Sequence, residues 1–179
     1  PLFTLRDRLR REKKMYNVIV ADDEKNIREG IVELIEWEKL GCKVCASMQN
    51  GAQVLKYLEE EKIHVDIIIT DIKMPIMDGM ELIGMLNERF PDIKVIILTA
   101  YSDFTYAQQA IKFQVSDFVV KNDFFLELPR AVKKIIEQCE VDAKKCVGRE
   151  KEIPFFQGEA CRVCACEMRD IERYDYEVC

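Results

Sequence analysis

The 179-residue sequence has no apolar run approaching the roughly 20 residues that a membrane-spanning helix needs. Its basic start, "PLFTLRDRLRREKK", is not followed by an apolar stretch and a small-residue cleavage site, so it does not read as a secretory signal. These two absences predict a cytoplasmic protein. Histidine is nearly missing: His64 stands alone, just before a strand-like run, and is expected at the surface with no part in catalysis. The one tryptophan, Trp37, is expected to pack at the end of the first helical segment. No helix-turn-helix pattern occurs, so these residues carry no DNA-recognition element of that kind. With 49% hydrophobic and 34% charged residues, the composition supports a packed core rather than disorder.

The charge is uneven. Residues 1–14 carry six Lys and Arg against Asp7 and Glu12, a local +4, so a net charge of −6 leaves −10 on the rest. An acidic body argues against non-specific nucleic-acid binding. The eight cysteines include two CxxC spacings, Cys42–Cys45 and Cys161–Cys164. Structural zinc takes such pairs from tight turns. Here Cys42, Val44 and Ala46 alternate with Lys43, Cys45 and Ser47 in a strand-like run, which would point residues three apart to opposite faces. The reading is therefore inert thiols. Cys164 and Cys166 share a strand face and leave the second cluster more open.

Between residues 16 and 140 the hydrophobic period switches regularly. Strand-like runs are "YNVIVA" (16–21), "CKVCAS" (42–47), "VDIIIT" (65–70), "IKVIIL" (93–98) and "SDFVV" (116–120). The middle ones are apolar on both faces, as strands of a covered parallel sheet are. Helical patterns lie between them. The first places Ile27, Ile31, Leu34 and Ile35 on one face with Asn26 as a cap. The second follows Asn50-Gly51. The third opens on Asp78-Gly79 with Glu81 completing a capping pair. The fourth covers about 103–113, and the fifth begins near Pro129. Five strands alternating with five helices predict a doubly wound α/β fold with a parallel sheet and helices on both faces.

The chemistry collects at the carboxyl ends of these strands, where ligands bind in open α/β sheets. Asp22, Asp23 and Glu24 follow the first strand, Asp71 the third, Thr99 the fourth and Lys121 the fifth. Taken singly, each has a structural reading: the aspartates as caps, the lysine as a solvated end. Taken together, neighbouring first and third strands would bring carboxylates within a few ångströms, and like charges that close destabilise one another. A divalent cation relieves this, and Mg²⁺ favours one or two carboxylates with waters and phosphate oxygens. Lys121 adds a cation and Thr99 a hydroxyl donor. The set suits a phosphoryl group carried on an aspartate.

Residues 16–140 resemble the receiver domain of bacterial two-component response regulators through "VIVADDE", "DIIITDIKMPIMDG", "VIILTAYSDFTYA" and "SDFVVK". The resemblance implies a flavodoxin-like, five-stranded parallel sheet in the order 2-1-3-4-5. Asp71 would be phosphorylated by a sensor histidine kinase. Asp23 would bind Mg²⁺ directly, Asp22 mostly through water, and the Lys73 backbone carbonyl would be a further ligand. Thr99 would hydrogen-bond the phosphoryl group and Lys121 would pair with it. Phe118 matches the aromatic switch that turns inward with Thr99 and remodels the face of the fourth helix, fifth strand and fifth helix. The family self-catalyses phosphoryl transfer and dephosphorylation and is no ordinary enzyme.

One departure is Asn122 after Lys121, where the family has proline, often after a cis bond; a cis non-proline bond costs about 3–4 kcal/mol. It leaves room for a degenerate receiver, an interaction module that takes no phosphate. An aspartyl-phosphate hydrolase is a further alternative, but such enzymes carry an aspartate two residues after the nucleophile, and Lys73 stands there. Lys73 and Tyr101 occupy positions that influence phosphoryl lifetime. "REGIVELIEWEKLGCKV" and "AYSDFTYAQQAIKFQVSDF" are closer to receivers of regulators with an AraC-type DNA-binding domain. DNA contact would then come only through an output domain, with homodimerisation on activation. Outside the receiver at 15–140, residues 1–14 read as a basic extension or remnant. Residues 141–159 read as a helix extension and linker, the helix running until Gly148, and 160–179 as the truncated start of a further domain.

Overall fold

The computed structural model describes residues 14–61, 63–100 and 115–149, with side chains through residue 142. The expected helix at 103–113, Tyr101, Cys161, Cys164 and Cys166, and the segments 1–13 and 150–179 lie outside the described residues. The elements run β1 (Tyr16–Ala21), α1 (Lys25–Leu34), a short α2 (Trp37–Leu40), β2 (Cys42–Met48), α3 (Gly51–Glu60), β3 (Ile67–Asp71), α4 (Gly79–Arg89), β4 (Lys94–Thr99), β5 (Asp117–Val120), a 3₁₀ turn (Lys121–Asp123) and α5 (Phe124–Arg149). The chain divides into two compact units, Pro1–Val132 and Lys133–Cys179, and α5 begins in the first and continues into the second. The helix expected to reach Gly148 does so. Among the described residues, no helix is long and apolar enough to cross a membrane.

All strand pairs are parallel, in the order β2-β1-β3-β4-β5. The central strands explain this. Every residue of β3 is buried, and so are five of six in β4, which only a sheet covered on both faces permits. Ile19, Ile68 and Ile97 from three adjacent strands pack in one cluster with Val54 and Leu55 of α3 and Leu82, Ile83 and Leu86 of α4. The strand order reverses between β1 and β3. Ala21 pairs with Thr70, so the next residues along, Asp22 and Asp71, leave the sheet side by side.

Local chemistry sets the element ends, with corrections to the sequence reading. Asn50 caps α3 by accepting from the Gln53 N–H at 3.0 Å, and Asp78 caps α4 by accepting from the Glu81 N–H at 2.8 Å. Asn26 does not cap α1. The helix starts two residues earlier than that cap would set it, at Lys25 with Glu24 in the cap position, and Asp22 Oδ1 accepts from the Glu24 N–H at 2.9 Å. Leu34, expected on the buried face, is 57% exposed: the chain leaves the helix after it, and extended Ile35 enters the core instead. Trp37 packs as expected but opens α2, with its indole N–H donating to the Ile31 carbonyl at 3.1 Å. α5 starts at Phe124 rather than near Pro129, because the turn at Lys121–Asp123 leads straight into it. Pro129 is tolerated in its second turn, where the carbonyl deprived of a partner belongs to Phe125, a residue 55% exposed.

β2 does not alternate as its sequence suggests. Val18 pairs with Val44 but Ile19 with Ala46, so Cys45 is the extra residue of a β-bulge, and its thiol donates to the Val18 carbonyl at 3.4 Å. Cys45 and Ala46 both pack against the core cluster.

Between β3 and α4 the chain makes a γ-turn. Met77 N–H donates to the Pro75 carbonyl at 2.8 Å, and Ile76 between them holds φ at 71°. A β-branched residue is strained there, and this one is 84% exposed, so its side chain gains nothing from burial. Ile76→Asn is expected to raise stability by about 1 kcal/mol, read as a higher denaturant midpoint at unchanged slope.

Candidate functional site

Three strand ends supply the site. Asp22 follows β1, Asp71 closes β3, and Lys121 follows β5. The Lys121 Nζ lies 2.8 Å from Asp22 Oδ2, 2.8 Å from Glu24 Oε1 and 2.9 Å from Asp71 Oδ2. Asp71 Oδ1 accepts from the Ile72 N–H at 2.7 Å, so one oxygen is fixed by the backbone and the other faces the ammonium. Arg28, buried on α1, donates to the Asp22 carbonyl at 2.6 Å and holds the strand end from the helix side.

The electrostatics follow from burial. Desolvation raises the pKa of Asp71, against the lowering effect of Lys121 and the Ile72 N–H, and the net shift is upward. Asp22 is raised for the same leading reason, again opposed by Lys121. Burial alone would lower the Lys121 pKa, but its hydrogen bonds to Asp22, Glu24 and Asp71 outweigh this, and the ammonium is held above its ordinary range. The resting site is thus a buried cation shared by three carboxylates.

Carboxylate oxygens of Asp22, Asp23 and Asp71 lie within 4.8 Å of one another. An all-oxygen set of this span fits a hard divalent cation. A second observation supports the fit. Asp22 Oδ2 is fully buried and its charge is met by the Lys121 ammonium, 2.8 Å away, with no backbone donor on it. Asp23 is exposed and lines a 540 Å³ cleft with Lys73, Met74, Pro75 and Asp78, which gives solvent a way to the acidic trio.

Thr99 ends β4 and is 1% exposed; the pairing of Asp71 with Leu98 puts it one residue beyond that register step. Phe118 pairs with Ile97 and is half-buried against the core cluster. Every described peptide bond is trans, so Asn122 follows Lys121 through a trans bond, and the ammonium still reaches the carboxylates. Cys42 and Cys45 stand apart from this chemistry as free thiols, and burial, followed by Asp66, pushes the Cys42 thiol up to about 11. Among the described residues the acidic trio is the only grouping with metal-ligand spacing.

Three contributors escaped the sequence reading. Glu24 was visible as an acid after β1 but carried no assigned role. Arg28 gave no signal, since a lone arginine on a helix reads as solvated. Gly79 is a third: a Cβ on it would collide with the Asp71 carbonyl oxygen, so α4 approaches β3 more closely than any other residue would permit.

A parallel sheet in this order, with an acidic trio and a lysine at the carboxyl edge beside the strand-order reversal, defines a receiver-like α/β protein. The chain belongs to the family described as "Response regulator receiver domain", whose profile matches residues 18–133. It is 38% identical over 107 residues to the transcriptional regulatory protein YesN of Bacillus subtilis, covering 60% of this chain and 28% of that protein. It is 30% identical over 128 residues to the transcriptional regulatory protein HptR of Staphylococcus aureus, covering 69% of this chain and 49% of HptR. The chain thus spans less than half the length of either relative. Among solved structures, the receiver domain of AraT, a response regulator from Geobacillus stearothermophilus, superimposes with a TM-score of 0.60 at 38% identity, over 69% of this chain and 96% of that one.

Proposed function

We propose that the chain is the phosphoacceptor receiver of a transcriptional response regulator, phosphorylated on Asp71 by a sensor histidine kinase in a Mg²⁺-dependent reaction. The observation that carries this reading is the Asp71 carboxylate at the mouth of the sheet, 2.9 Å from the Lys121 ammonium and within the acidic trio. Asp71 Oδ2 would attack the phosphorus in line, forming a P–O bond as the P–N bond to the kinase histidine breaks and the leaving imidazole takes up a proton. Bound through Asp22, Asp23, Asp71 and the Lys73 carbonyl, Mg²⁺ would neutralise charge on the phosphoryl oxygens. Lys121 would pair with a phosphoryl oxygen, and the Thr99 hydroxyl would donate to another. Phe118, on the strand that leads into Lys121, would carry the switch.

The output is proposed to be transcriptional, through an AraC-type DNA-binding domain outside these residues, with homodimerisation on activation and a cytoplasmic location. YesN and HptR, both transcriptional regulatory proteins by name, support the transcriptional output. Lys73, where a hydrolase would carry its general acid, disfavours the hydrolase reading.

Intact-protein mass after incubation with acetyl phosphate tests the proposal. A Mg²⁺-dependent gain of one phosphoryl group, absent in Asp71→Asn, is expected. A folded wild-type protein that gains none is instead a receiver that works without phosphate.

A further inference from the structure

The Lys121 ammonium has three anchors, and they are not equivalent. Asp22 and Asp71 belong to the acidic trio; Glu24 does not. The side chains of Asp22 and Asp71 are 0% and 9% exposed, that of Glu24 58%. A divalent cation among the trio would draw on the same Asp22 and Asp71 carboxylates that now hold the ammonium. Two positive charges sharing carboxylates a few ångströms apart repel strongly at low effective dielectric. Glu24 is the one anchor that such a cation leaves free. It also has no competing structural duty at the head of α1, because its side chain makes no capping bond.

We propose that Glu24 is a positioning residue that receives the Lys121 ammonium when a divalent cation engages the carboxylates of Asp22 and Asp71, and so raises the affinity of the site for that cation. The inference rests on the receiver reading and assigns Glu24 a part in it. It also accounts for the arrangement of the resting site: the lysine keeps the buried carboxylates neutralised until the metal arrives, and Glu24 holds it nearby afterwards, within reach of an incoming phosphoryl oxygen.

The test is Mg²⁺ binding to the full chain by calorimetry, in wild type, Glu24→Gln, Lys121→Met and the double variant. An ion pair with one half-exposed partner makes a modest contribution, so Glu24→Gln is expected to weaken Mg²⁺ binding about threefold to fivefold. If Glu24 works through the ammonium, the same change in the Lys121→Met background shifts affinity less than about 1.5-fold. An unchanged affinity in Glu24→Gln, or an equal loss in both backgrounds, overturns the proposal, the second by reducing Glu24 to a through-space charge. Should Lys121→Met not fold, Glu29→Gln decides instead: it removes a charge of the same sign from the exposed face of α1, and a loss as large as that of Glu24→Gln overturns the proposal. A wild type that binds no Mg²⁺ brings down the receiver reading itself, whereas tight wild-type binding with an indifferent Glu24→Gln brings down this inference alone.

Discussion

Lys121→Met is expected to slow phosphoryl uptake on Asp71 by about a hundredfold, the usual cost of losing a preorganised charge at a developing anion. In Mg²⁺-free buffer at pH 8 it is also expected to cost about 3 kcal/mol of stability, because it leaves buried carboxylates without their counter-ion. The ammonium lies within 3 Å of Asp22, Glu24 and Asp71, and its side chain is only 5% exposed, so solvent does little to replace it. The pH dependence has a definite sign. The pKa values of Asp22 and Asp71 are already raised by burial against the opposing pull of Lys121, and removing the lysine raises them further. A carboxyl with a raised folded pKa contributes stability below its unfolded value and loses that contribution as pH rises through the folded one. The deficit of the variant is therefore largest at pH 8 and shrinks toward pH 4, where the carboxyls take up protons instead. Millimolar Mg²⁺ is expected to recover most of it at pH 8. Urea denaturation at several pH values, with and without Mg²⁺, reads all of this; a deficit that grows toward low pH contradicts it.

Gly79→Ala is expected to destabilise the fold by about 3 kcal/mol, at the upper end for overpacking by a single methyl. The new Cβ would overlap the Asp71 carbonyl oxygen and sit 3.1 Å from the Ile72 Cα, and both are backbone atoms that cannot rotate away. Either α4 withdraws from β3 or the end of β3 shifts. The second route moves the Asp71 carboxylate, so phosphoryl uptake is expected to fall with stability. Gly30→Ala is the matched control. It adds the same methyl inside α1, where the nearest atoms are ordinary contacts at 3.8 Å, and helix propensity predicts a gain of up to about 1 kcal/mol. Equal effects of the two substitutions would show that the close approach at Gly79 is unimportant.

The covered parallel sheet and the convergence at its edge were legible because both rest on signals the chain repeats, whereas the strand order came from the family resemblance. Uninterrupted Ile/Val runs in β3 and β4 admit only strands covered on both faces, and placing Asp71 at the end of such a run fixes it at the carboxyl edge. Asp78 and Asn50 were legible as caps because their side chains act within three residues of themselves. What failed depended on context that the period of the segment itself does not carry. The bulge at Cys45 arises from pairing with β1, which the period of β2 alone does not contain. Leu34 has the helical spacing of a core residue, but α1 ends beneath it. Pro129 carries a helix-start signal that the turn at Lys121 overrides. Glu24 and Arg28 gain their roles only when β1, α1 and the end of β5 come together.

The central claim is that a phosphoryl group is carried on one particular carboxylate among three that lie within 4.8 Å. Borohydride reduces an acyl phosphate and leaves free carboxylates intact, so it marks the residue that carried the group. Peptide mapping after phosphorylation in Mg²⁺ and borohydride reduction is predicted to convert Asp71 to homoserine and to leave Asp22 and Asp23 unchanged. An unmodified Asp71 in a chain that has gained a phosphoryl group, or conversion at Asp22 or Asp23, would contradict the account.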